Sequence, residues 1–501
     1  MITTVHLIGV IATVALLLLV SWLSGRNVKD AKGFMTGGSA GGWAVGGAML
    51  GTLAGGQSTV GTAQLAFCYG LSAWWFTLGA ALGALVLGVV YAGPLRRSGC
   101  TTLLEVVGRE YGRKAETTGS VLSMVGIFIS IVAQVLTAAA MIGSLFKLPA
   151  LLSFILGAAL ILLFVLFGGI RSAGASGLVK LVLLYTCSLV AGYVVWRLAG
   201  GPGGLRSGLE AVFQASPTLA SESGITDVES IHRRYGSMVA RGPLKDLGGA
   251  LSLILGVVST QSYAQCIWSA ASTPKARRGA LLCTLCMPII GAACTLAGIY
   301  MRGHFVTAAE LAAMQEAGET LPAGLGVIAS SAQAFPAFIL QYLPHWVGGI
   351  MLGTLLINII GCGSGLALGA ATILVRDVFS NLQRKGAPGR MSQLTQTRLS
   401  IVGLLALAVL FAVSADKQFI NDLGFLSLGL RAVAILFPLS FALWLPGRFR
   451  PRSVLLSMPL GVAAMLAAHF LSLPGDALYY GLGISLLTLL AGNALLRIFA
   501  S

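Results

Sequence analysis

Apolar runs long enough to cross a hydrocarbon core, which takes about 20 residues, follow one another at roughly 5–24, 42–66, 71–94, 119–146, 149–169, 174–198, 248–270, 279–302, 345–375, 396–414, 419–445, 453–471 and 476–498. The pattern predicts an all-α polytopic membrane protein with about thirteen transmembrane helices. Two hydrophilic stretches, 199–247 and 303–344, interrupt the series and predict loops that carry short surface helices.

Two of the runs share a defect. In the second, Gly55-Gly56-Gln57-Ser58-Thr59 arrive about twelve residues into the run, and in the seventh Ser259-Thr260-Gln261-Ser262 arrive after a similar distance. The two runs are five apart, so they cross in opposite directions with their polar breaks near mid-membrane. Paired breaks of this kind predict an inverted repeat, here 42–198 and 248–445, whose first helix in each half is unwound. Unwound backbone is tolerated at that depth only where it lines a cavity or binds something. The competing reading is close packing, since Gly and Ser are common where membrane helices touch.

Composition supports the membrane class: of 501 residues 56% are hydrophobic and 10% charged, and the mean hydropathy is +0.89. The net charge of +16 does not point to nucleic acid, because the basic residues are spread over short loops with no folded domain to hold them. Arg26, Lys29, Lys32, Arg96, Arg97, Arg109, Lys275, Arg277, Arg278, Arg448 and Arg450 all follow odd-numbered runs. By the positive-inside rule the N-terminus is then outside and the C-terminus cytoplasmic, in a membrane of the bacterial inner type. The first run, Val5 to Ser24, lacks a basic leader and is read as a retained helix rather than a signal peptide. Cys283 and Cys286 form a CxxC inside an apolar run, which reads as packing, so no metal site or cofactor is expected. No phosphate-binding GxxxxGK[ST] and no HExxH occur, and no nucleophile, base and orienting group align at one depth, so an enzyme is not expected.

A series of short motifs in consistent order extends the picture: VKDAKGFMTGGSAGG, VGTAQLAFCYGLSAWWFTLGAALGAL, LRRSGCTTLLEVVGREYG, AQVLTAAAMIGSLF, LFGGIRSA, TPKARRGALLCTL and ATILVRDVF. Through them the chain resembles the sodium:solute symporter family, which includes bacterial proline, pantothenate, sugar and sialic acid transporters. The resemblance implies a LeuT-like five-plus-five core, an extra helix before it in 1–41, two after it in 446–501, alternating access, and usually sodium as the driving ion.

The departures from the family pattern are informative. The resemblance puts the sodium-binding carbonyls at Gly51 and Ala54, and these survive any side-chain change. It puts the usual pair of hydroxyl residues at Gly361 and Cys362, neither of which offers a hard oxygen; Ser364 is nearby but on another helix face. In the sixth run the family's Thr-Asp-x-x-Gln becomes Ser176-Gly177-Leu178-Val179-Lys180. A lysine inside a span costs about 2.5–3.5 kcal/mol and so is paired, snorkelling or functional. Two readings stay open: the Lys180 ammonium replaces the missing cation against Gly51, Ala54, Gly361 and Cys362, with H+ instead of Na+ coupling or none, or it snorkels beside a degraded site.

The expected substrate cavity is lined by Gln57, Ser58, Gln134, Ser259, Gln261, Ser262, Tyr263 and Arg431. Arg431 pairs with Asp422 or Glu105, attracts an anionic solute, or has a structural role, since family members share a Leu-Arg-Ala pattern here; Asn421 and Asp422, at the outer end of the same run, read first as solvated at the interface and second as gate residues. The expected function is import of a small organic solute, with a carboxylate-bearing one as first choice, and the expected partners are that solute and the lipid bilayer. The alternative is a transporter-like sensor that binds a solute and signals through a partner protein.

Overall fold

The computed structural model describes residues 2–25, 40–100, 102–168, 173–375, 393–415 and 418–498. The apolar runs fold as helices because a bilayer leaves backbone polar groups no partner but each other. The first half comprises α1 (Thr4–Gly25), α2 (Gly42–Leu53), a π-helical turn over Gln57–Gly61, α3 (Thr62–Tyr69), α4 (Trp75–Val86), α5 (Ala92–Arg97), the surface helix α6 (Leu103–Tyr111), α7 (Arg113–Phe146), α8 (Ala150–Gly168) and α9 (Ala173–Ala199). The loop 199–247 carries α10 (Pro202–Ala215), α11 (Pro217–Glu222) and α12 (Val228–Gly236).

The second half comprises α13 (Pro243–Val258), α14 (Gln261–Ser269), α15 (Thr273–Arg302), a short parallel pair of β1 (Phe305–Thr307) and β2 (Gly326–Ile328) around α16 (Ala308–Glu316), then α17 (Ala334–Tyr342), α18 (His345–Ile373), α19 (Gln393–Ser414) and α20 (Ile420–Trp444). Two further long helices follow, α21 (Pro451–Phe470) and α22 (Ala477–Ile498).

Among the described residues nine helices are long and apolar enough to cross a membrane, or ten if the bent pair α13–α14 is one span, which is fewer than thirteen. Gln57–Arg97 counts as one of these although it runs through a turn at Gly70, while α1 and α8 are themselves 22 and 19 residues long. Gly70 has φ +60 and abuts the Tyr235 backbone, so the turn there requires glycine.

Large apolar side chains point outward, such as Ile8, Leu285 and Leu410, as a lipid-facing surface demands. Inside, contacts are made by small residues that bring helices close. A Cβ on Gly9 of α1 would lie 2.8 Å from Cα of Gly349 in α18. Helices α2, α9 and α18 pack against one another, as do α7 and α20, and α4 and α13. Arg96 at the end of α5 gives three carbonyls at the end of α14, Ile267, Trp268 and Ala270, a charged partner, the nearest at 2.6 Å.

Candidate functional site

Both expected breaks are present. After α2 the chain leaves helical geometry at Ala54, with φ −83 and ψ 71, and the Gly55 amide turns to Leu53 O at 3.0 Å instead of Gly51 O. Ser58 and Thr59 brace the turn by donating to Gly55 O at 2.8 and 3.2 Å. The second break falls at Ser259 and Thr260, where α13 and α14 meet at a 46° bend.

Where α2, α9 and α18 meet there is a narrow recess, lined in part by Gly51, Ala54, Lys180, Leu184 and Asn358. The Lys180 ammonium nitrogen lies 2.8 Å from where a Cβ on Gly361 would sit. Cys362 and Gln134 close the adjacent wall: Gln134 Nε2 faces Cys362 Sγ at 3.6 Å, and each lies 3.2 Å from the Cβ position of Gly55. Asn358 was not singled out in the sequence. Its Nδ2 donates to Ala54 O at 2.5 Å, which ties α18 to the break. Its Oδ1 is buried without a hydrogen-bond partner. A polar residue three positions before Gly361 in an apolar run was the available signal.

Ser364 lies apart from this group, because its hydroxyl donates to Gly361 O at 2.9 Å along its own helix. Residue Gly177 lies on α9, one turn before Lys180.

The second cluster is built on Arg431, which is 2% exposed. Its Nη2 donates to Ser130 and Ser427 hydroxyls at 2.7 Å each, and its Nη1 to Thr260 Oγ1 at 3.3 Å, on the second break. Its Nε has no partner. The expected pairing with Asp422 or Glu105 is not formed: Asp422 accepts from Arg241 at 2.5 Å, and Glu105 is exposed on α6. The acceptors around the guanidinium, the hydroxyls of Ser130, Ser427 and Thr260 and the Gly126 carbonyl, are all neutral.

The expected substrate residues divide accordingly. Gln57, Gln134, Ser259, Tyr263 and Arg431 are buried or half-buried around the breaks. Gln57 Nε2, Gln134 Oε1 and Ser259 Oγ lack hydrogen-bond partners. Ser262 is half-buried at the start of α14. Ser58 is fully buried and its hydroxyl is spent inside the break. Gln261 turns away: its Oε1 accepts from the Leu103 amide at 2.8 Å, capping the first turn of α6. Buried polar atoms are nearly always paired, so five open ones (Gln57 Nε2, Gln134 Oε1, Ser259 Oγ, Asn358 Oδ1, Arg431 Nε) around two helix breaks mark a place that a polar ligand can complete.

Comparison with known proteins gives this arrangement a context. The model of the sodium:solute symporter family matches residues 34–450. An uncharacterised symporter, YwcA of Bacillus subtilis, is 24% identical over 409 residues, covering 81% of this chain and 74% of its own length. The sodium/glucose cotransporter 1 of Sus scrofa is 22% identical over 394 residues, 76% of this chain but 57% of that protein. Among solved structures, a Na+-coupled sialic acid symporter in a substrate-bound outward-open state superposes with a TM-score of 0.69 at 16% identity, covering 99% of this chain and 98% of that one. Mhp1, a nucleobase-cation-symport-1 family transporter, superposes with a TM-score of 0.52 at 12% identity over 92% of this chain and 93% of its own. At these identities the likeness concerns the fold, which is the LeuT-like one.

Proposed function

The chain belongs to the sodium:solute symporter family and is by that membership a secondary active symporter, not an enzyme; from this premise we propose that it imports a small carboxylate-bearing solute and that the Lys180 ammonium stands where the family holds sodium. The observation that carries the proposal is the position of the Lys180 nitrogen against Gly361, in a recess shared with Gly51, Ala54 and Asn358.

A sodium ion needs several hard oxygen ligands, and this recess offers carbonyls and one amide oxygen but no hydroxyl pair. An ammonium suits such a site, because it needs only a few acceptors and is already tethered to α9. Tethering changes the coupling: the cation cannot leave with the solute, and its charge is switched by gaining or losing a proton, which arginine does not do. With the proton on, the ammonium is drawn to Asn358 Oδ1, which has no partner in the present structure, and so pulls α9 toward α18. With it off, that attraction loses its electrostatic part and the helices are free to re-pack. Proton exchange at Lys180 is therefore the coupling step.

Arg431 is proposed as the solute anchor. A guanidinium held by three hydroxyls, with its Nε–H and its second Nη1–H left open, has donors to offer a carboxylate, whose charge would offset the desolvated cation. The neutral groups at Gln57, Gln134 and Ser259 then read the remainder of the solute. The proposed orientation places the N-terminus outside and the basic short loops in the cytoplasm, in a bacterial-type inner membrane.

Uptake into proteoliposomes tests the ion. With sodium replaced by choline, a pH gradient, acid outside, is expected to drive accumulation, and Lys180→Gln is expected to abolish that response. Strict sodium dependence with no effect of the pH gradient would overturn the proposal.

A further inference from the structure

The basic face of the bundle holds a second cavity that the transport site does not use. Between the end of α5, the surface helix α6 and the end of α20 lies a recess of about 320 Å3, within the usual range of small-ligand pockets of about 300–1,000 Å3. Arg97 and Arg109 line it, with Glu110, Val106, Leu443 and Trp444. We propose that this recess binds the phosphate group of an anionic phospholipid, with Arg97 and Arg109 as its ligands.

The charge balance favours an anion. Glu110 is already engaged, accepting the Gly447 amide at 2.5 Å. Arg109 spends one N–H on Ser98 O at 2.7 Å, and its other donors remain for a ligand. Arg97 has no ion pair among the described residues, and its guanidinium folds back beside Gly93, 3.8 Å from that residue's Cβ position, one turn toward the membrane. Two forked guanidinium groups converging on one recess suit phosphate oxygens better than a single point charge does. The ends of α5 and α20 that border the recess are helix C-termini, which disfavour an anion. Arg97 and Arg109 must therefore supply most of the attraction, and losing them leaves helix C-termini that disfavour phosphate.

The surroundings favour a lipid over a soluble phosphate. Trp444 is 43% exposed and stacks edge-on against Tyr91 at 4.7 Å, as aromatic residues do at the membrane boundary. Next to Tyr91 in sequence, Val89 and Val90 are 49% and 47% exposed, an apolar flank for an acyl chain. Arg277 reaches the Val89 carbonyl at 3.5 Å on the same flank and adds to the basic field. Basic pockets between helix ends at this level of a membrane are where acidic headgroups bind.

Native mass spectrometry of the detergent-purified full chain, titrated with phosphatidylglycerol, phosphatidylcholine or inorganic phosphate, tests the inference. Phosphatidylglycerol is expected to be retained, to bind at least tenfold more tightly than phosphatidylcholine, and to be left in place by millimolar phosphate. Arg97→Gln with Arg109→Gln is expected to weaken it at least tenfold, while Lys275→Gln with Arg278→Gln, an equal charge loss on the same face, changes it less than twofold. If the double variant melts earlier in lipid-free detergent, Arg97→Gln alone, at an exposed side chain, is expected to weaken binding at least threefold with an unchanged melting point. Equal losses from both pairs would show unspecific attraction and overturn the site. Displacement by inorganic phosphate would overturn the lipid assignment.

Discussion

Gly361 shows how one missing side chain shapes the proposed coupling site. The Lys180 nitrogen occupies the space that a β-carbon there would take, 2.8 Å from its position. Because the obstacle is the far end of a flexible chain, Gly361→Ala is expected to fold and to push the ammonium away from Ala54 and Asn358. Proton-driven uptake should fall at least tenfold, with a melting-point change of no more than a few degrees. Uptake unaffected by the alanine would show that the ammonium does not work from this position. The sequence made Lys180, Gly361 and Cys362 legible, since each departs from a family motif of known spacing. It left Asn358 unread, because an isolated amide in an apolar run carries no motif, and its meaning lies in a carbonyl about 300 residues earlier, Ala54. The direction of Gln261 is hidden from the sequence for the converse reason. The residue sits beside the second break, but its direction is set by the unpaired Leu103 amide that α6 presents to it.

At the scale of elements, the two broken helices are held differently. The first half of the second one, α13, is linked to α20 through Arg241, which pairs with Asp246 at 2.7 Å and Asp422 at 2.5 Å while only 4% exposed. The guanidinium also lies 5.6 Å from the Phe425 ring centre. In the proposed orientation this link is a candidate latch on the outer side, formed in the present structure. Arg241→Gln leaves Asp246 buried without its partner and is expected to destabilise the fold by about 3–5 kcal/mol. Asp422→Asn cuts only the connection to α20. It should leave the melting point nearly unchanged and speed labelling of Ser259→Cys, in a background without native cysteines, by a membrane-impermeant thiol reagent added outside. Labelling no faster than in the parent would make the pair a structural tie and not a latch.

At the scale of the whole molecule, the core contains two cations, Lys180 and Arg431, that form no ion pair among the described residues. A carboxylate solute would offset that charge, and a ligand at 100 times its Kd stabilises the folded state by about 2.7 kcal/mol. In a thermal screen of the purified protein, a stabilising hit is expected to be a carboxylate whose methyl ester has lost the effect, and Arg431→Gln is expected to abolish the shift. Hits equally active as esters would remove Arg431 from the solute site.

Hydropathy alone determined the membrane class, the helical architecture and the two paired breaks, because these depend on local composition and on what a bilayer permits the backbone to do. The family motifs added the fold and the positions, Gly361, Cys362 and Lys180, where this sequence departs from the family pattern. Length and apolarity do not mark where a chain turns within a continuous helical stretch, as at Gly70, so thirteen expected spans stand against nine or ten among the described residues. The tertiary structure decided which polar atoms meet: that Arg431 faces hydroxyls and not Asp422, that Arg241 claims Asp422, and that Lys180 reaches Gly361. These contacts join helices far apart in sequence. Their side-chain directions follow from how the helices cross, and no periodicity along the chain encodes that.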